Sequence, residues 1–119
     1  MARILVVDDE PTNRLLAATI LQYGGYDVIE AENAAQAIDR LVEDPDLVLV
    51  DLYLPGVSGP ELIGRIRRSE HAGVKIVLFT ASIVDEATRD FMQVHGIHYV
   101  VQKPSEPQEF LATIDAALR

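Results

Sequence analysis

The sequence predicts an α/β protein in which five short strands alternate with five helices around one parallel sheet. Three observations carry this: short continuous apolar runs, helical spacing of apolar residues between them, and Gly or Pro punctuation where helices stop. At 119 residues the chain has the length of one domain with a single core.

Ile4 to Val7 is uniformly apolar, as expected of a strand covered on both faces. From Thr12 to Tyr23, Leu16, Thr19, Ile20 and Tyr23 recur at helical spacing, and Gly24-Gly25 ends the helix. Asp27 to Ala31 alternates loosely and reads as a strand nearer a sheet edge. A second helix is expected from Ala34 to Glu43, with Ala34, Ala37, Ile38 and Leu41 inward and Pro45 blocking its continuation. Leu47 to Val50 is a third strand ending at Asp51, and Leu62, Ile63 and Ile66 mark the inner face of a third helix. Lys75 to Phe79 forms a fourth strand ending at Thr80. A fourth helix spans Asp85 to His95 and stops at Gly96. Tyr99 to Gln102 is a short fifth strand, and the last helix, from Pro107, buries Phe110, Leu111, Ile114 and Leu118. Right-handed crossovers in so short a chain favour a flavodoxin-like doubly wound (βα)5 fold, strand order 2-1-3-4-5.

The composition narrows the function. Nineteen acidic against ten basic residues give a net charge of −9, which repels phosphate backbones and anionic lipids, so no direct nucleic-acid or membrane binding is expected. The absence of cysteine excludes disulfides and thiolate chemistry. Met1-Ala2-Arg3 leads straight into the first strand, with no signal peptide expected, and no apolar run approaches the roughly 20 residues that span a bilayer. A cytoplasmic location is the corresponding expectation.

In such a fold, ligands bind beyond the carboxyl ends of the strands, where the strand order reverses. The first strand ends in Asp8-Asp9, the third in Asp51, the fourth in Thr80 and the fifth in Lys103. Three carboxylates, a hydroxyl and an ammonium are thereby expected on one rim. Three neighbouring carboxylates stay ionised only with a counter-charge, and a hard divalent cation such as Mg²⁺ suits an oxygen-only set. Asp51 is placed as a nucleophile able to form an aspartyl-phosphate. Thr80 offers a hydrogen bond, and Lys103 a positive charge, to a phosphate oxygen.

Leu5-Val6-Val7-Asp8-Asp9-Glu10-Pro11, Asp51-Leu52-Tyr53-Leu54-Pro55-Gly56-Val57-Ser58-Gly59, Thr80-Ala81 and Lys103-Pro104 together resemble the receiver domains of two-component response regulators, the CheY-like superfamily. The resemblance covers the chain in order and with the family's spacing, so residues 1–119 are expected to be a single receiver domain. It implies that Asp51 is the phosphoacceptor. Asp9 and Asp51 would bind Mg²⁺ directly, Asp8 through water, and the backbone carbonyl of Tyr53 would complete the protein ligands. Thr80 and Lys103 would sense the phosphoryl group. It further implies a phosphohistidine donor on a sensor histidine kinase or histidine phosphotransfer protein, signalling by a shift between two states, and no turnover of an external substrate. The output target stays open, as do a stand-alone or fused role and a monomeric or weakly dimeric state. The resemblance also makes the Lys103–Pro104 bond a candidate cis peptide.

The pattern departs from the family's at the fifth strand. An aromatic residue commonly stands three places before the lysine; here that place holds Val100, and Tyr99 precedes it, on the opposite face of the strand. The usual Thr–aromatic coupling is therefore expected to be missing. Tyr53 and Ser82 resemble the family positions that tune phosphate lifetime, and the resemblance implies a bulky screen at the first and, at the second, a small residue without a carboxamide to orient water.

Each residue alone has an ordinary reading: Asp8-Asp9 as a helix cap, Thr80 as a β-former, Lys103 as a solvated lysine. His71, His95 and His98 have no zinc-like spacing and lie away from the Asp rim; a helix C-terminus accounts for His95. A haloacid-dehalogenase-like phosphatase would need a second Asp where Tyr53 stands. An FMN carrier would not tolerate Asp8-Asp9-Glu10 at its phosphate loop. A receiver-like module that binds partners without phosphorylation is the closer rival, disfavoured because all five site residues are present.

Overall fold

The computed structural model describes residues 1–119. The strands are β1 (Arg3–Val7), β2 (Asp27–Ala31), β3 (Leu47–Asp51), β4 (Lys75–Thr80) and β5 (Val100–Gln102). They form one sheet in the order β2-β1-β3-β4-β5, and every pair is parallel. The helices are α1 (Pro11–Tyr23), α2 (Ala34–Arg40), α3 (Gly59–Arg67), α4 (Glu86–Val94) and α5 (Pro107–Leu118). The predicted fold class and strand order are those observed.

Alternation along the central strands divides the core in two. Ile4, Val6, Leu47, Leu49, Val77 and Phe79 pack against α1 and α5. Leu5, Val7, Val48, Val50, Ile76 and Leu78 pack against α2, α3 and α4. Uniformly apolar strands are what this two-sided burial demands, and β1 and β3 are accordingly inaccessible over almost their whole length.

The inner face of α1 differs from the expected one. Ala17, Ala18, Ile20 and Leu21 are buried, while Leu16 and Tyr23 stand 55% and 88% exposed. The two alanines let the helix lie close on the sheet, and that contact turns the larger Leu16 and Tyr23 outward. The second helix is also shorter than expected. It passes after Arg40 into a 3-10 turn over Leu41–Glu43, and Asp44 adopts a left-handed conformation (φ 58°) before Pro45. Asp85 and His95 are the caps of α4 rather than members of it. The last strand starts one residue late, although the Tyr99 carbonyl still accepts from the Leu78 N–H at 3.1 Å.

Val100 packs against the α2–α4 side, and Tyr99 flanks the C-terminal end of α5, so the two side chains occupy opposite faces. No helix is long and apolar enough to cross a membrane.

Candidate functional site

The buried polar side chains of this protein are Asp8, Asp51 and Thr80, with no other polar or charged residue so enclosed. They come from β1, β3 and β4, three strands side by side, and all three lie at the carboxyl ends. A buried charge is costly unless paired, so carboxylates tolerated at this one place make it the candidate site.

The pairing comes from Lys103. Its Nζ donates to Asp8 Oδ2 at 2.6 Å and to Asp51 Oδ2 at 3.1 Å, and its side chain is only 12% exposed. The backbone delivers it there, since the Lys103 N–H donates to the Thr80 carbonyl at 2.8 Å and extends the β4–β5 ladder. The Lys103–Pro104 peptide bond is cis, as the sequence suggested.

Each acid is also fixed locally. Asp8 Oδ1 accepts the Glu10 N–H at 2.9 Å, and the Asp8 carbonyl accepts Arg14 Nη1 at 2.8 Å. Arg14 in turn pairs with Glu30 on β2. Asp51 Oδ1 accepts the Tyr53 N–H at 3.0 Å, leaving Oδ2 toward Lys103. The Thr80 hydroxyl accepts the Ser82 N–H at 3.1 Å, which orients its oxygen at the strand end. Burial pushes the Asp8 carboxyl above the ordinary carboxylate value, with Lys103 and the Glu10 N–H working against it.

Asp9 is exposed, yet one carboxylate oxygen each from Asp8, Asp9 and Asp51 lies within 4.8 Å of the others. The donor set is all hard oxygen, with no imidazole or thiolate, which fits Mg²⁺ or a similar cation. Charge points the same way: Lys103 offsets one of three clustered carboxylates, so the rim has room for a divalent counter-charge. Tyr53, 67% exposed, stands beside the site on a shallow groove shared with Pro60 and Phe91.

His71, His95 and His98 fall in the loops before β4 and β5, at the opposite rim. His95 packs on the Phe91 ring, and His71 lies 4.0 Å from Asp44. The structure also shows why one motif residue is required and brings in one the motifs did not mark. Gly59, the first residue of α3, leaves no space for a Cβ, which would fall 2.3 Å from the Asp51 carbonyl oxygen. Phe79 lies beneath the Lys103 ammonium. Gly59 closes the Asp51 motif of the sequence; nothing in the sequence pairs Phe79 with Lys103.

Comparison with known proteins agrees with the fold. Residues 4–115 match the family described as response regulator receiver domain. The phosphate regulon transcriptional regulatory protein PhoB of Pseudomonas aeruginosa is 39% identical over 118 residues, covering 98% of this chain and 51% of PhoB. The chain thus spans about half the length of the curated relatives it matches first. Among solved structures, chemotaxis protein CheY4 of Vibrio cholerae superposes with a TM-score of 0.91 at 24% identity, covering 98% of both chains. The receiver domain of NtrX from Brucella abortus superposes at 0.87 with 28% identity, covering 97% of both. The chain belongs to the response-regulator receiver domain family.

Proposed function

We propose that this receiver takes a phosphoryl group onto Asp51 from a phosphohistidine of a sensor histidine kinase or histidine phosphotransfer protein, in a Mg²⁺-dependent reaction. The observation that carries the reading is the Lys103 ammonium held between Asp8 and Asp51 at the sheet's switch point. A carboxylate oxygen of Asp51 attacks phosphorus and the P–O bond forms. The P–N bond breaks, and its electron pair returns to the donor imidazole.

The surrounding residues divide the remaining work. The Tyr53 N–H restricts rotation of the Asp51 carboxylate. Lys103 is within reach of an oxygen of the incoming group and supplies a point charge to it. The Thr80 hydroxyl, already set by Ser82, offers a hydrogen bond to another oxygen. Asp8, Asp9, Asp51 and the backbone carbonyl of Tyr53 would hold the metal ion. When bound, Mg²⁺ neutralises the phosphoryl oxygens in the in-line transfer. The product alters what Lys103 and Thr80 bind, and so biases an equilibrium between two arrangements of the loops and helices above the rim. The receiver acts as monomer or weak dimer in this reading.

Intact mass after incubation with acetyl phosphate tests this, with and without Mg²⁺ and beside Asp51→Asn. A magnesium-dependent gain of one phosphoryl group, absent in the variant, is expected. No gain from acetyl phosphate or from a panel of phosphorylated histidine kinases would overturn the proposal in favour of a module that binds partners unphosphorylated.

A further inference from the structure

We propose that Phe79 is a positioning residue for Lys103, and that through Phe110 it ties the place of the ammonium to α5. The consequence for phosphoryl transfer rests on Asp51 being the acceptor; the placement itself does not.

Phe79 directly precedes Thr80 on β4, and its side chain points to the α1–α5 face of the sheet. There the Lys103 Nζ stands over the ring, 4.4 Å from its centroid, while the same nitrogen donates to Asp8 and Asp51. The ammonium is thus held by two carboxylates and one π face. A lysine stem has four rotatable carbons, so its charge stays at one point only if its surroundings define that point. The negative face of a ring does this without adding a hydrogen-bond acceptor that would compete with a phosphoryl oxygen. A leucine at 79 would fill similar space and supply no such attraction.

Phe79 is held in its turn. Its ring meets Phe110 of α5 edge to face, with centroids 5.8 Å apart and planes at 61°. Both rings line a cavity of about 280 Å³ between α1 and α5, with Leu16, Ala17 and Pro104 among the other walls. The cavity gives the pair room to readjust when the ammonium moves. Val100 packs on the other face of the sheet. The contact from Lys103 to α5 therefore bypasses the strand position at which an aromatic residue is missing.

The test uses the full chain with Phe79→Leu and Phe79→Tyr, both checked for a native amide fingerprint. In the unphosphorylated protein, the Lys103 ε-methylene proton resonance reports the ring current. It is expected upfield in the wild type and in Phe79→Tyr, and near its random-coil position in Phe79→Leu. The phosphorylation rate constant with acetyl phosphate and Mg²⁺ is expected to fall about threefold to tenfold in Phe79→Leu and to be retained in Phe79→Tyr. A Lys103 ε-methylene resonance at its random-coil position in the wild type overturns the proposal, as do a rate unchanged in Phe79→Leu or rates lowered equally in both variants. If the wild type takes up no phosphoryl group from acetyl phosphate or from the panel of phosphorylated kinases, the acceptor reading fails, while the Lys103 resonance still decides the placement.

Discussion

Lys103 and Asp8, ninety-five residues apart in sequence, meet at 2.6 Å, and Asp8 has no solvent exposure at all. The lysine balances that charge but is shared with Asp51, so two carboxylates divide one ammonium. Burial raises the Asp8 pKa. For an acid this makes the charged form the disfavoured one in the fold, and the cost is present above the raised pKa.

Asp8→Asn should therefore stabilise the metal-free protein at neutral pH by about 1 kcal/mol, because one desolvated charge goes while Lys103 keeps Asp51. The added stability that excess MgCl₂ gives the wild type should shrink in the same variant. Calorimetric melting in EDTA and in MgCl₂ measures both. An Asp8→Asn protein less stable than wild type in EDTA would show that the Lys103 pair outweighs its desolvation.

Gly59→Ala should be strongly destabilising, by about 3 kcal/mol or more. The new Cβ would lie 2.3 Å from the Asp51 carbonyl oxygen and 2.7 Å from the Leu52 Cα, and backbone cannot step aside as a flexible side chain does. Urea unfolding gives the stability change. Uptake of phosphoryl groups should fall as well, since relief of the clash displaces the residue that carries Asp51.

Arg67 donates from Nε to the His95 carbonyl at 2.8 Å and from Nη1 to the carbonyls of Ala72 and Val74. One guanidinium thereby fastens the C-terminal end of α4 to the end of α3 and the start of β4. Arg67→Met should lower stability by about 2–3 kcal/mol by leaving those carbonyls without their charged donor. Amide exchange should rise most around Gly96 and Ile97. Uniform exchange changes across the sheet would contradict so local a role.

Asp85 caps α4, accepting the Thr88 N–H at 2.8 Å; the Thr88 hydroxyl first, and this N–H after it, hold its carboxyl below the ordinary value. A depressed acid stabilises the fold above its unfolded-state pKa and loses that contribution as pH falls through the depressed one. The Thr88 amide resonance should titrate with this acid-shifted midpoint. In Asp85→Asn the cap should persist and the titration disappear.

Tyr53→Asn should shorten the lifetime of the phosphorylated protein in the proposed reading, in which the bulky exposed side chain two residues after Asp51 screens the acyl phosphate from water. Decay of the phosphoprotein mass after removal of the donor measures this. Equal lifetimes would assign Tyr53 to the groove it shares with Pro60 and Phe91.

The sequence by itself determined the strands, their order and the residues at their ends. Apolar runs such as Ile4 to Val7 have few other uses than a two-sided sheet; Asp8, Asp51 and Thr80 follow those runs directly, and Lys103 follows the last one after Gln102. It did not determine the inner face of α1, because two alanines and an Ile-Leu pair compete with Leu16 and Tyr23, and only the closeness of approach to the sheet chooses between them. Nor did it pair Lys103 with the Phe79 ring, or make Arg67 the fastening of α4. Those contacts join segments distant in sequence, and no local periodicity encodes them. They exist only once the sheet has set β4 beside β5 and brought the end of α3 against the end of α4.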